Sequence, residues 1–407
     1  MTEQTGRYGL PLEVKFCKCC TMNNQRPAST VEFKQKAGER KKTLAFDEEG
    51  VCDACRYAEK KKGINWDARH EELVDLCDRF RRSDGRYDVV VPGSGGKDSV
   101  QAAHMLKYKY NMNPILITWP PAIYTKIGRQ NFEAWLNSGF ANFTYNQNRK
   151  LHRFLTRAAF ENLGHPFQPF ILGQKNLAPR LSVLLDIPLV IFGENEAEYG
   201  NAIEDNEKPT RDNKYFSSEE TIADLVLGGV PATELIEKHG FKLSDLEAYF
   251  PVNPHDLART GTEVHYLGYY VKWHPQETYY YSVENTDFMP NYHRTEGSFS
   301  KYSSLDDKID WLHYHTTTIK FGIGRATYDS AQEIRNGDIT RDEGIALVRR
   351  FDGEFPQQYI QDCCEYMGIT LERYHDVIEK FRSPHLWEQR FGKWELKHPI
   401  WMEAEAN

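Results

Sequence analysis

The chemistry of this chain starts at Gly93-Ser94-Gly95-Gly96-Lys97-Asp98-Ser99, where three glycines, two hydroxyls, one cation and one carboxylate share a short stretch. Glycines let a backbone approach a phosphate closely and aim several N–H groups at it, and a helix starting near Asp98 adds its positive end. The stretch is not a Walker A loop. That motif requires glycine where Val91 stands and Ser or Thr directly after Lys97, where Asp98 stands. A second chemical pattern is the pair of knuckles Cys17-x2-Cys20 and Cys52-x2-Cys55, which offer four thiolates to a tetrahedral Zn²⁺. A site closed by four thiolates has no coordination position for water, so its expected role is to fold a small module. Cys19 lies inside the first knuckle, and Cys17 and Cys20 are the expected ligands there.

The elements that must position these groups can be read around them. Tyr87–Pro92 is a short β-branched run suited to a strand buried on both faces, and the glycine loop follows it directly. Val100, Ala103 and Leu106 mark one face of the next helix, and Pro114–Trp119 supplies a second buried strand. A third strand is expected at Pro188–Phe192, followed at once by Gly193-Glu194-Asn195, and a fourth at Val264–Val271. Strands alternating with helices predict an α/β fold with a doubly wound parallel sheet, whose ligands bind at the C-terminal strand ends. Glu194 and Asn195 then face the ligand. Leu73, Leu76, Cys77 and Phe80 have helical spacing, which makes Cys77 a small core residue; Cys363 and Cys364 read as packing too.

Beyond residue 284 the pattern turns helical, with Leu305, Ile309 and Leu312 on one face and a capping box at Thr340/Glu343. Thr370 lacks the box because Arg373 occupies the reciprocal position. Gly337, Gly353 and Gly368 are expected helix stops. The acidic run Asp306-Asp307-Lys308-Ile309-Asp310 reads as a solvated helix start. The expected organisation is a zinc-ribbon module over 1–65, the loop-bearing α/β domain over 66–283, and a mainly helical substrate or partner region over 284–407.

A chain of 407 residues can bury a large core, and its 40% hydrophobic and 27% charged residues are ordinary for a globular protein. A net charge of −8 argues against a general nucleic-acid binder. No apolar run approaches a membrane span, and Met1–Arg7 does not begin a signal peptide, so a cytoplasmic location is expected.

Ser-Gly-Gly-x-Asp-Ser after a strand resembles the PP-loop of ATP pyrophosphatases, which split ATP between its α and β phosphates. That resemblance implies that Ser94, Gly95, Gly96 and Ser99 hold phosphate, that Lys97 neutralises the leaving group and that Asp98 orders the loop or Mg²⁺. Ile191–Gly200, Tyr266–Tyr270 and the stretch from Arg294-Thr295-Glu296-Gly297 to Lys320-Phe321-Gly322-Ile323-Gly324-Arg325 are similar to the N-acetyl sugar amidotransferases. These convert an acetamido group of a bacterial sugar acid into an acetamidino group. The resemblance runs from about Cys17 to Pro356 and departs at Ser298, Phe299 and His315, which concerns the choice of sugar.

What it implies is an ATP-dependent reaction: the amide oxygen is adenylated, pyrophosphate leaves, ammonia attacks the activated carbon, and AMP departs. Gly193, Glu194 and Asn195 join the nucleotide site. Arg294, Glu296, Lys301, Lys320 and Arg325 become candidates for binding a nucleotide-activated acetamido sugar acid. No leftover cysteine has the context of a glutaminase nucleophile, so ammonia is expected from a separate glutaminase subunit with a cyclase-like barrel partner. The rival readings are a tRNA-thiolating PP-loop enzyme and a zinc-ribbon nucleotide-binding scaffold without catalysis.

Overall fold

The computed structural model describes residues 5–199 and 208–402; residues 1–4 of the N-terminal stretch and Gly200 lie outside that range. Five parallel strands form the central sheet: β1 (Val89–Pro92), β2 (Pro114–Thr118), β3 (Asn142–Thr144), β4 (Leu189–Phe192) and β5 (Glu263–Tyr266). Their order is β3-β2-β1-β4-β5. The register is set by pairs such as Val90 with Ile115, Val89 with Leu189, and Val190 with Val264. Every residue of β1, β2 and β4 is buried, as expected for strands covered on both faces.

Alternation along the strands splits the core into two layers. Val90, Ile115, Ile117 and Val190 face one layer with α5 (Arg149–Leu163) and α6 (Gln168–Leu185). Val89, Val91, Leu116, Leu189 and Ile191 face the other, with α2 (Trp66–Phe80), α3 (Lys97–Tyr108) and α4 (Lys126–Asn137). Cys77 is fully buried in this second layer.

Three elements differ from the sequence expectation. The fourth predicted strand ends at Tyr266, and Leu267–Tyr270 turns into a single helical turn. Leu267 and Tyr270 thereby enter the α3-side core layer, and a short apolar run cannot announce that choice by itself. Strand β3 has no apolar run to mark it in the sequence, because Asn142, Phe143 and Thr144 form a partly exposed edge. Near the C-terminus, Trp387–Arg390 and Lys393–Leu396 make an antiparallel hairpin. Phe391 and Gly392 both have positive φ at its turn, the backbone that suits a tight hairpin.

The C-terminal helices that matter below are α8 (Lys308–Phe321), α9 (Arg325–Asn336), α10 (Arg341–Phe351), α11 (Ile360–Met367) and α12 (Leu371–Phe381), α7 being Pro275–Asn285. The Thr340/Glu343 box forms in full, whereas Thr370 caps only Arg373 N–H. Gly337 and Gly368 end their helices in left-handed backbone. Helix α10 is capped by Asp352, with Gly353 at φ 77° just beyond. Cys363 and Cys364 are buried against α12, as packing residues.

The knuckle cysteines converge. Cys17 and Cys55 Sγ lie 3.8 Å apart, as do Cys20 and Cys52, and all four sulfurs fall within 4.8 Å of one another. A tetrahedral ion with bonds of about 2.3 Å requires sulfur separations of about 3.8 Å, so the set fits a structural zinc. Cys19 is exposed and outside the group; its N–H donates to Cys17 Sγ at 3.4 Å. The cluster rests on α9 and α10. Thr21 Oγ1 donates to Thr327 O, and Arg341 donates to the carbonyls of Cys17 and Cys20.

Two outcomes follow from this packing. Gly173 of α6 lies against Trp119, where a Cβ would sit 2.1 Å from the indole. Gly173→Ala should therefore lower stability in urea unfolding, because overpacking of about 1–3 kcal/mol exceeds the gain of about 1 kcal/mol in helix propensity. Cys52→Ser, or a strong chelator, should lower zinc content by metal analysis and reduce the thermal midpoint together.

Candidate functional site

The strand order reverses direction between β1 and β4, so the crevice at their C-terminal ends is where an α/β sheet presents a ligand site. The loop after β1 and Gly193-Glu194 after β4 flank a cavity of about 360 Å³. Ser94, Gly95, Gly96, Lys97, Asp98, Ser99, Gly193, Glu194 and Arg325 all line it.

The loop is held by close backbone contacts. A Cβ on Gly93 would meet Ser99 at 2.3 Å, one on Gly95 would meet the Phe132 backbone at 2.7 Å, and one on Gly193 would meet Asp98 O at 2.4 Å. Gly95 also has φ 93°. Gly96 is different. Its φ is −71° and nothing lies within 4 Å of its missing Cβ, so neither conformation nor protein packing demands glycine there. Its open side faces the cavity, where a close-approaching ligand would use the space.

Among the described residues, no protein acceptor receives the backbone N–H groups from Ser94 to Ser99. They form the start of α3, whose first N–H groups are free by helix geometry and whose positive end points into the crevice. Lys97 is buried, with Nζ 2.6 Å from Asp98 Oδ2 and 5.3 Å from the centre of the Trp273 ring. Trp273 Nε1 donates to the other Asp98 oxygen at 2.7 Å. This pairing fixes Lys97 and Asp98 together at the helix start.

The opposite wall comes from the C-terminal region. Ser94 Oγ donates to Asp306 Oδ2 at 2.5 Å. The acidic run is not a solvated helix start: Asp307 is fully buried and N-caps α8, accepting from Ile309 N at 2.9 Å and from Ala122 N and Ile123 N. Two chain segments converge there, so one carboxylate serves a helix and a loop at once. Burial pushes the Asp307 carboxyl up to about 8 and Asp310 up to about 6. Burial, then the Asp98 charge, raises Glu194 to about 7, while Lys97 opposes the shift.

Arg325 begins α9 and pairs with Asp329 at 3.0 Å; it also donates to the Tyr314 hydroxyl. Burial disfavours its charge, but Asp329 and Tyr314 hold its pKa above the ordinary arginine value. Asp329, Gln332 and Glu333 follow on the same face of α9 and also line the cavity. Sequence reading missed Tyr314, Asp329, Glu333 and Trp273. The i, i+4, i+7, i+8 spacing of Arg325, Asp329, Gln332 and Glu333 was the available signal.

The other predicted residues lie elsewhere. Asn195 is buried and bonds inward, donating to Tyr57 OH at 3.1 Å and accepting from Ala197 N. Arg294 makes a two-pronged pair with Glu354 at 2.6 and 2.7 Å, and Glu296 accepts from Gln358 N. Lys301 is exposed beside a shallow depression that includes Tyr302. Lys320 lines a second cavity that adjoins the first. No helix among the described residues is long and apolar enough to cross a membrane.

Comparison with known proteins gives two partial matches. The chain is 29% identical over 77 residues to the protein called Uncharacterized protein MJ1599 of Methanocaldococcus jannaschii, covering 19% of this chain and 27% of that protein. The match thus spans about a quarter of the relative's length. Residues 296–399 match the family model described as LPS biosynthesis protein WbpG-like, C-terminal domain. The matched segment carries Asp306, Asp310, Tyr314, Arg325, Asp329 and Glu333, so the region similar to a polysaccharide-biosynthesis family forms one wall of the loop's cavity.

Proposed function

We propose that this protein is an ATP-dependent amidotransferase that converts an acetamido group of a nucleotide-activated sugar acid into an acetamidino group, for surface polysaccharide or nonulosonic acid biosynthesis. One observation carries the reading. The segment that matches a WbpG-like domain and the glycine loop with unpaired N–H groups line the same cavity.

The reaction asks the protein mainly to stabilise charge on phosphate, first on departing pyrophosphate and then on AMP. Ser94, Gly96 and Ser99 would hold phosphate oxygens with N–H and hydroxyl groups, and Lys97 would neutralise the leaving group. The carboxylates on the cavity walls outnumber the cations: Asp98, Glu194, Asp306, Asp310, Asp329 and Glu333 face Lys97 and Arg325. A polyanionic nucleotide entering this space would need divalent metal, and Asp98 and Asp306, which line the cavity beside the loop, would be its candidate ligands once their present partners shift. Bound Mg²⁺ would supply further charge neutralisation at the phosphates.

Ammonia would come from a separate glutaminase with a cyclase-like barrel partner; glutamine-driven turnover by the purified chain alone would refute that arrangement. Net charge disfavours the tRNA-thiolating alternative, which predicts a salt-sensitive tRNA complex. A scaffold without catalysis predicts no AMP.

The direct test supplies ATP, Mg²⁺, an ammonium salt and a panel of acetamido sugar nucleotides, then looks for AMP, pyrophosphate and a product with NH in place of oxygen. Lys97→Ala and Asp98→Ala should each reduce AMP release by about 100-fold or more with the fold intact by circular dichroism. AMP output equal to wild type would sink the assignment. Glu194 gives a pH signature. Its folded pKa of about 7 lies above the ordinary 4.5, so the folded state holds an extra proton between these values. Stability from that proton is present below pH 4.5 and is lost as pH rises through about 7. Urea unfolding should show Glu194→Gln gaining on wild type across this window.

A further inference from the structure

Beside the loop's cavity lies a second one of about 390 Å³. The two share Gln174, Phe192, Glu194, Tyr199 and Tyr314 as walls, so a single extended ligand can place one end in each.

The second cavity holds more cations than acids: Arg26, Lys41, Lys175, Arg211 and Lys320 line it with Glu32, Glu194 and Glu196. Lys175 pairs with Glu32 at 3.5 Å and Arg211 with Glu196 at 2.9 Å. Among the described residues neither Lys41 nor Lys320 makes an ion pair; Lys41 Nζ lies 2.7 Å from the Gln35 side-chain amide, whose oxygen accepts from it. Lys320 is only 4% exposed. Its Nζ donates to Leu163 O at 2.6 Å and lies 5.0 Å from the ring centres of Tyr8 and Phe321. Burial lowers the pKa of both lysines and the Lys41 charge lowers Lys320 further, while the Glu32 charge acts on both in the opposite sense. A buried lysine facing another lysine is costly by itself, and an anion between them would relieve the repulsion.

A second observation is independent of these charges. His165 and His313 stack with ring centres 4.3 Å apart, and the buried Nδ1 atom of each has no hydrogen-bond partner. Burial holds both rings neutral at physiological pH, so each pairs one donor with one acceptor. Paired neutral imidazoles beside two lysines that make no ion pair suit a polyhydroxylated ring that carries a negative charge.

Resting on the function proposed above, we infer that this second cavity seats the anionic end of the acceptor sugar, a carboxylate or a phosphate, between Lys41 and Lys320 with His165 and His313 against the ring hydroxyls. The acceptor's amide would then reach past Glu194 and Tyr199 toward the loop. Charge selection happens away from the phosphates, so ATP and the acid do not compete for the same cations.

The test uses the full chain without ATP. D-glucuronate, D-glucose and inorganic phosphate are titrated separately while the histidine ring resonances are followed, with His165→Asn and His313→Asn as assignments. Glucuronate or phosphate should saturate and shift both rings, whereas glucose should not. Lys41→Gln should weaken the anion by about tenfold, the worth of one charge-assisted hydrogen bond, and Lys320→Met should remove binding. If Lys320→Met does not fold, Lys41→Gln carries the comparison, since that side chain is only half-buried. Saturation by glucuronate alone identifies a carboxylate, and by phosphate alone a phosphate-bearing end. No shift with either anion, equal shifts with glucose, or unchanged binding in a folded Lys41→Gln overturns the inference. Because ATP is absent, anion binding can persist where AMP release fails, which would sink the amidotransferase reading and leave the anion site standing.

Discussion

The close approach of backbone to backbone around the glycine loop is the constraint on which the site depends. Gly93 against Ser99, Gly95 against Phe132 and Gly193 against Asp98 leave no room for a Cβ. Those contacts let the chain leave β1, turn tightly and enter α3 with its first N–H groups unpaired and aimed at the crevice. The sheet supplies the rest. With β1 central and fully buried, the loop is anchored at one end by parallel pairing on both sides and at the other by a helix packed in the core.

The C-terminal region completes this arrangement through a few shared groups. Asp306 accepts from Ser94, its carbonyl accepts from Thr125 N at 3.1 Å, and Gly128 allows α4 to pass directly over it. Asp307 next to it joins the start of α8 to residues 122–123. A single turn of chain therefore ties the loop, the first turn of α4 and the WbpG-like segment together. The metal-type cysteine cluster is braced on the same segment by Arg341 and Thr21, so the stability of the N-terminal knuckles and the position of α9 are linked.

Local chemistry made part of the site readable. The loop sequence, the strand before it and the strand ending at Phe192 form a continuous pattern, because buried parallel strands need apolar runs and a phosphate-type turn needs glycine. The Cys-x2-Cys spacing was equally direct, and it separated Cys19 from the cluster. Other residues carried no such signal. Asp306 and Asp307 look like solvent-facing acids in sequence, yet partners about 180 to 210 positions away bury them. Arg294 looks like a free cation, but Glu354 engages it. A helical turn replaced the tail of the fourth strand because core packing, absent from local propensity, chose it.

By itself, the sequence determined which backbone could cradle an anion and which thiols could gather, since glycine freedom and ligand spacing are local properties. It also carried the strand pattern that puts the loop at the end of a parallel sheet. Only the tertiary structure decided which side chains face that loop. Asp306, Asp310, Tyr314, Arg325 and Asp329 reach it across more than 200 residues of chain, and their burial, not their type, turns them from ordinary surface residues into the wall of a charged cavity. Burial depends on what packs against a residue, which no short stretch of sequence contains.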